Sequence, residues 1–163
     1  MGQESNTNIA PIEAYMKWAN SFWDSSEWED WRLREGQEEQ KNILIVEDDA
    51  TTVRLFKTML KITDENVRIK SLGSAEEAEK YLTHLRANSL QGPDLALIDY
   101  KLRAKDGLYV CELLEKYFPQ TKVVMVSGAN PAEVCREMEE HDLQVEFIPK
   151  PIVREQISYI LRN

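Results

Sequence analysis

Three short runs, Ile43–Val46, Leu95–Ile98 and Val123–Val126, contain nothing but apolar residues. A strand with no polar side must be covered on both faces, which is the habit of parallel sheets flanked by helices. Two further segments read as strands: Val67–Ser71, which alternates apolar and polar like an edge strand, and Val145–Ile148. Between them the spacing turns helical. Ala50–Ile62 carries Val53, Phe56, Met59 and Leu60 on one stripe, and Ser74 with Glu77 forms a capping box ahead of Ala75, Ala78, Tyr81, Leu82 and Leu85. Gly107 leads into a helix with Leu108, Cys111, Leu114 and Tyr117 inward, closed by Pro119. Pro131 opens another that runs to about Glu140, and Ile152–Leu161 is the last.

Alternating strands and helices imply a parallel sheet with helices on both faces. Right-handed crossovers restrict it to a doubly wound sheet, and a flavodoxin-like order 2-1-3-4-5 suits five strands. In such sheets chemistry gathers at the carboxyl ends of the strands. There stand Glu47, Asp48 and Asp49 after the first strand, Asp99 closing the third, Ser127 closing the fourth, and Lys150 just past the fifth. Any one of these is an ordinary polar strand end. Jointly, carboxylates brought to one edge repel unless a cation balances them. Magnesium, which takes oxygen ligands, keeps waters and is held by one or two carboxylates plus phosphate oxygens, suits the set. A further carboxylate could then act as nucleophile toward a phosphoryl group, with the lysine neutralising charge and a hydroxyl donating to a phosphoryl oxygen.

Four motifs in order, ILIVEDD (Ile43–Asp49), PDLALIDYKLRAKDG (Pro93–Gly107), VVMVSG (Val123–Gly128) and FIPKP (Phe147–Pro151), resemble the receiver domains of two-component response regulators. The resemblance runs from about Lys41 to the C-terminus. It implies that Asp99 is the phosphoacceptor and that Asp48 is the direct magnesium ligand, with Glu47 acting through water and Lys101 lending its backbone carbonyl. It implies that Ser127 moves toward the phosphoryl group, that Lys150 pairs with that group, and that Phe147 is the aromatic switch. Lys150-Pro151 is expected to be cis, and Asp49 falls outside the site. The implied partners are a histidine kinase or histidine phosphotransfer protein and a downstream protein, in the cytoplasm. The domain would assist its own phosphorylation without being a turnover enzyme. Two departures stand out: Arg103 replaces a proline common in relatives, which would loosen the loop, and Ala129 cannot orient attacking water. A haloacid-dehalogenase-like phosphotransferase would need a second aspartate two residues after the nucleophile, where this chain has Lys101. A receiver serving only as phosphate sink or relay fits the same residues.

Residues 1–40 read as a separate arm and linker, ahead of a receiver over 41–163. They carry nine acidic and three basic side chains of a chain whose net charge is −9. Such an acidic balance argues against direct nucleic-acid binding. Trp18, Trp23, Trp28 and Trp31 are the chain's only tryptophans. Ile12, Tyr15, Met16, Ala19, Phe22 and Trp23 would share one helical stripe, followed by a short helix with Trp28 and Trp31. That helical arm could pack on the receiver as extra core, or use Trp18, Phe22, Trp23, Trp28 and Trp31 to dock a partner or form a homodimer. No run approaches the ~20 apolar residues of a membrane span. Cys111 and Cys135 read as small core residues, and His84 and His141 as surface or helix-end residues.

Overall fold

The computed structural model describes residues 40–103 and 106–162. The arm and its tryptophans therefore lie outside the described residues. Five strands, β1 (Asn42–Val46), β2 (Arg68–Leu72), β3 (Leu95–Asp99), β4 (Lys122–Ser127) and β5 (Glu146–Pro149), form one parallel sheet in the order β2-β1-β3-β4-β5. Between and after them run α1 (Ala50–Thr63), α2 (Ala75–Ala87), α3 (Gly107–Tyr117), α4 (Pro131–Glu140) and α5 (Arg154–Arg162). The fold is the doubly wound, flavodoxin-like one that the sequence predicts.

Strand alternation divides the wholly apolar runs between two cores. Ile43, Ile45, Leu95, Leu97, Val124 and Val126 pack with Phe56 and Leu60 of α1 and Ile157, Ile160 and Leu161 of α5. Leu44, Val46, Ala96, Ile98 and Met125 face the other way, onto α2, α3 and α4. Each apolar run therefore serves both faces, which is why it has no polar side. Val67 is buried but lies just ahead of β2, which starts and ends one residue later than its alternation predicts. Ile152 is likewise buried ahead of α5 rather than inside it.

Caps set where the helices begin. Asp49 accepts from the Thr51 and Thr52 N–H groups at the start of α1. Ser74 accepts from Glu77 N–H, while the Glu77 carboxylate reaches back to accept from Gly73 N–H, one residue beyond the usual capping-box return to the N-cap itself. Asp106 and Asn130 cap α3 and α4 in the same manner. At Gly107 a side chain has no room, since a Cβ would sit 2.2 Å from the Asp99 carbonyl oxygen. This glycine lets α3 start directly against the end of β3.

Two sequence expectations need correction. Cys111 is buried, but Cys135 is exposed, because Val134 and Met138 define the inward face of α4 and position 135 falls beside it. His84 is in the last turn of α2 yet buried, so it is a helix-end residue but not a surface one. His141, at the C-cap of α4, is exposed and bonds Glu112 of α3 at 2.7 Å. Among the described residues no helix is long and apolar enough to cross a membrane.

Candidate functional site

β1 and β3 are neighbours in the sheet, with Val46 opposite Ile98, so the residues that follow β1 meet the last residue of β3. Glu47 is only 3% exposed and still donates its N–H to Leu72 of β2, which holds it in strand-like alignment. Asp99 ends β3 opposite Val126 and is 8% exposed. Oxygens of Glu47, Asp48 and Asp99 lie within 4.8 Å of one another. Asp49 is spent on capping α1 and accepts from the Thr52 hydroxyl as well, at 2.6 Å. Those bonds, the Thr52 hydroxyl first, hold its carboxyl below the ordinary range. Its exclusion from the cluster therefore has a structural cause.

Lys150 supplies the balancing cation. Its ammonium donates to Glu47 Oε2 at 2.6 Å and lies 3.2 Å from Asp99 Oδ1. Its backbone N–H donates to the Ser127 carbonyl at 2.8 Å, tying the lysine to the end of β4. The Lys150-Pro151 bond is cis. One ammonium thus faces two buried carboxylates. Burial chiefly, and then the charge of Glu47, raise the Asp99 carboxyl above its usual value, against the opposing pull of Lys150 and a backbone hydrogen bond from Lys101. Burial would lower the Lys150 ammonium, but the Glu47 hydrogen bond and the two acidic charges outweigh it and the net shift is upward.

The remaining predicted residues surround this group. Ser127 is buried at the end of β4, and its hydroxyl oxygen accepts from Ala129 N–H at 3.0 Å. Phe147, in β5, is half-buried against the core under α2, α3 and α4. Lys101 is exposed and touches the site through its main chain.

Two contacts at the site have no signature in the sequence. Arg103, read as a loosening of the loop, instead directs its side chain onto Asp48, with Nε 3.1 Å from Oδ2. Tyr100, buried beside Asp99 in the chain, donates its hydroxyl to Glu137 of α4 at 2.6 Å. Neither partner is near in sequence, so no local spacing could have announced them.

The donor set fits magnesium in kind: hard carboxylate oxygens, close together at a partly open edge, with a lysine alongside. The arrangement as a whole can hold a divalent cation and present the Asp99 carboxylate beside an ammonium.

A family model described as the response regulator receiver domain matches residues 43–162. Luminescence regulatory protein LuxO of Vibrio campbellii is 24% identical over 119 residues, which are 73% of this chain and 24% of that protein. The probable C4-dicarboxylate response regulator DctR of Bacillus subtilis is 24% identical over 121 residues, 74% of this chain and 50% of that one. The chain thus spans between a quarter and a half of the length of these curated relatives. A response regulator receiver domain protein from Methanospirillum hungatei superposes with a TM-score of 0.62 at 24% identity, over 76% of this chain and 92% of its own.

Proposed function

This chain belongs to the response regulator receiver domain family, and on that premise we propose that it is a signalling switch set by phosphorylation of Asp99. The carrying observation is the position of Asp99: buried at the end of β3, within an acidic trio, with the Lys150 ammonium 3.2 Å away. The donor is a phosphohistidine on a histidine kinase or histidine phosphotransfer protein. An Asp99 oxygen attacks the phosphorus, the P–N bond breaks to leave the imidazole, and an acyl phosphate forms. Asp48 and Asp99 would hold magnesium, with Glu47 reaching it through water and Lys101 offering its backbone carbonyl, and the ion when bound would supply positive charge to neutralise the transferring oxygens. Lys150 contributes a second, fixed positive charge.

Occupancy of Asp99 then becomes a conformational signal. The Ser127 hydroxyl, which accepts from Ala129 N–H, turns to donate to a phosphoryl oxygen, and Phe147 repacks into the space this vacates. Output follows through protein contacts, with residues 1–40 as an appended arm that docks a downstream partner or a second copy and residues 41–163 as the receiver, in the cytoplasm and without direct nucleic-acid binding. Incubation with phosphoramidate and magnesium, followed by intact mass, tests the reading. The wild-type chain gains a single phosphoryl group and the Asp99→Asn chain gains none. Equal labelling of both would remove Asp99 from the role.

A further inference from the structure

Each of the three clustered carboxylates has a cation against it, but the two cations are held very differently. Lys150 reaches Glu47 and Asp99 from β5, with its backbone fixed to Ser127. Arg103 reaches Asp48 from the loop directly after β3, and its side chain is 86% exposed where that of Asp48 is 24% exposed. Leu102, buried beside it, anchors that loop, and Gly107 N–H closes it onto the Tyr100 carbonyl at 2.9 Å. The guanidinium is therefore tethered a few residues from Asp99 while remaining free to swing into solvent.

We propose that Arg103 is a displaceable internal counter-ion of Asp48, which competes with the divalent cation for that carboxylate and sets how weakly the site binds it. The inference rests on the reading of Glu47, Asp48 and Asp99 as a cation site. Its physical basis is charge. A divalent ion among the three carboxylates would leave no negative charge for Arg103 once Lys150 is counted, so the guanidinium must give up Asp48 and move off. A solvent-exposed ion pair breaks readily, whereas the Lys150–Glu47 pair, whose carboxylate is buried, does not. Guanidinium cannot lose its proton in a protein, so the competition persists at every working pH. Arg103 touches no reacting atom; it acts through Asp48 as a positioning residue.

Calorimetric titration of the full chain with magnesium chloride, at low ionic strength, tests this. Arg103→Ala should bind magnesium about three- to tenfold more tightly, the range expected when an exposed ion pair and a nearby repulsion are both removed. Arg103→Lys, which keeps the charge, should stay near wild type. In wild type the Arg103 Nε–Hε NMR resonance should move as magnesium saturates the site. Asp48→Asn should abolish binding and should also erase the gain from Arg103→Ala. If Asp48→Asn abolishes binding but Arg103→Ala leaves the affinity unchanged, the counter-ion role is overturned and the cation site stands. If Asp48→Asn binds magnesium like wild type, the cation site falls and this inference falls with it.

Discussion

The two ends of the sheet use the same residue types to opposite effect. At the amino end Asp94 accepts from Asn42 N–H at 2.7 Å, and its own main chain bridges Asn42 and Lys122. Lys41 donates to the Leu161 carbonyl, and Lys122 sits 3.5 Å from Glu146. Charges there satisfy backbone groups or one another, and no carboxylate among them is buried: Asp94 is exposed and the Glu146 side chain is 36% exposed. At the carboxyl end two buried carboxylates share one ammonium, and Asp99 is held above its ordinary ionisation range. The amino end is explained by stability. The carboxyl end costs stability, and such an arrangement is what a site for charged substrates requires.

The contrast can be broken by mutation, and the largest effect is expected at Lys150. Lys150→Ala leaves buried Glu47 and Asp99 uncompensated and should lower unfolding free energy by about 3 kcal/mol in urea melts without magnesium. Lys122→Ala at the other end should cost less than about 1 kcal/mol. Equal losses would erase the distinction between the two ends.

Asp99→Asn should do the reverse and stabilise the fold at neutral pH by about 1–2 kcal/mol, raising Tm by roughly 5 °C. Because the folded state raises the Asp99 carboxyl, it holds that proton more tightly than the unfolded chain does. Stability from this group is therefore lost as pH climbs from the ordinary carboxyl value through the raised one, and the cost is fully present above that window. Asparagine removes it and leaves Lys150 and Glu47 as a matched pair. Asp94→Ala, which strips an acceptor from Asn42 N–H, should instead destabilise by about 1 kcal/mol. Stabilisation at both ends, or at neither, would contradict the account.

The smallest effect lies away from both ends. The hydrogen bond that the imidazole donates to the Glu112 carboxylate raises His141 above its usual value, while burial lowers His84. An NMR titration should therefore find His141 titrating at the higher pH, and Glu112→Gln should draw it down. The opposite order would mean that the α3–α4 contact is misplaced.

What could be read from the sequence was whatever is local. Ile43–Val46 announces a doubly covered strand because both of its faces are visible in four consecutive residues. Glu47, Asp48, Asp99, Ser127 and Lys150 could be assembled because strand order brings strand ends together whatever the loops do. Contacts that depend on where a long side chain swings were not legible. Arg103 and Asp48 are separated by 55 residues and Tyr100 and Glu137 by 37, and nothing local pairs them. Helix phase decided the cysteines: Val134 and Met138 take the inward face of α4 and leave Cys135 outside. The aromatic stripe from Ile12 to Trp23, and with it the arm's role, lies outside the described residues.

The proposed phosphorylation of Asp99 at the crowded carboxyl end can be read from its trapped product. Borohydride reduces an aspartyl phosphate to homoserine, which marks the modified residue permanently. After treatment with phosphoramidate and magnesium, peptide mass analysis should find homoserine at position 99 and aspartate retained at positions 48 and 49. Homoserine at 48 or 49, or a phosphorylated chain with position 99 unmodified, would contradict it.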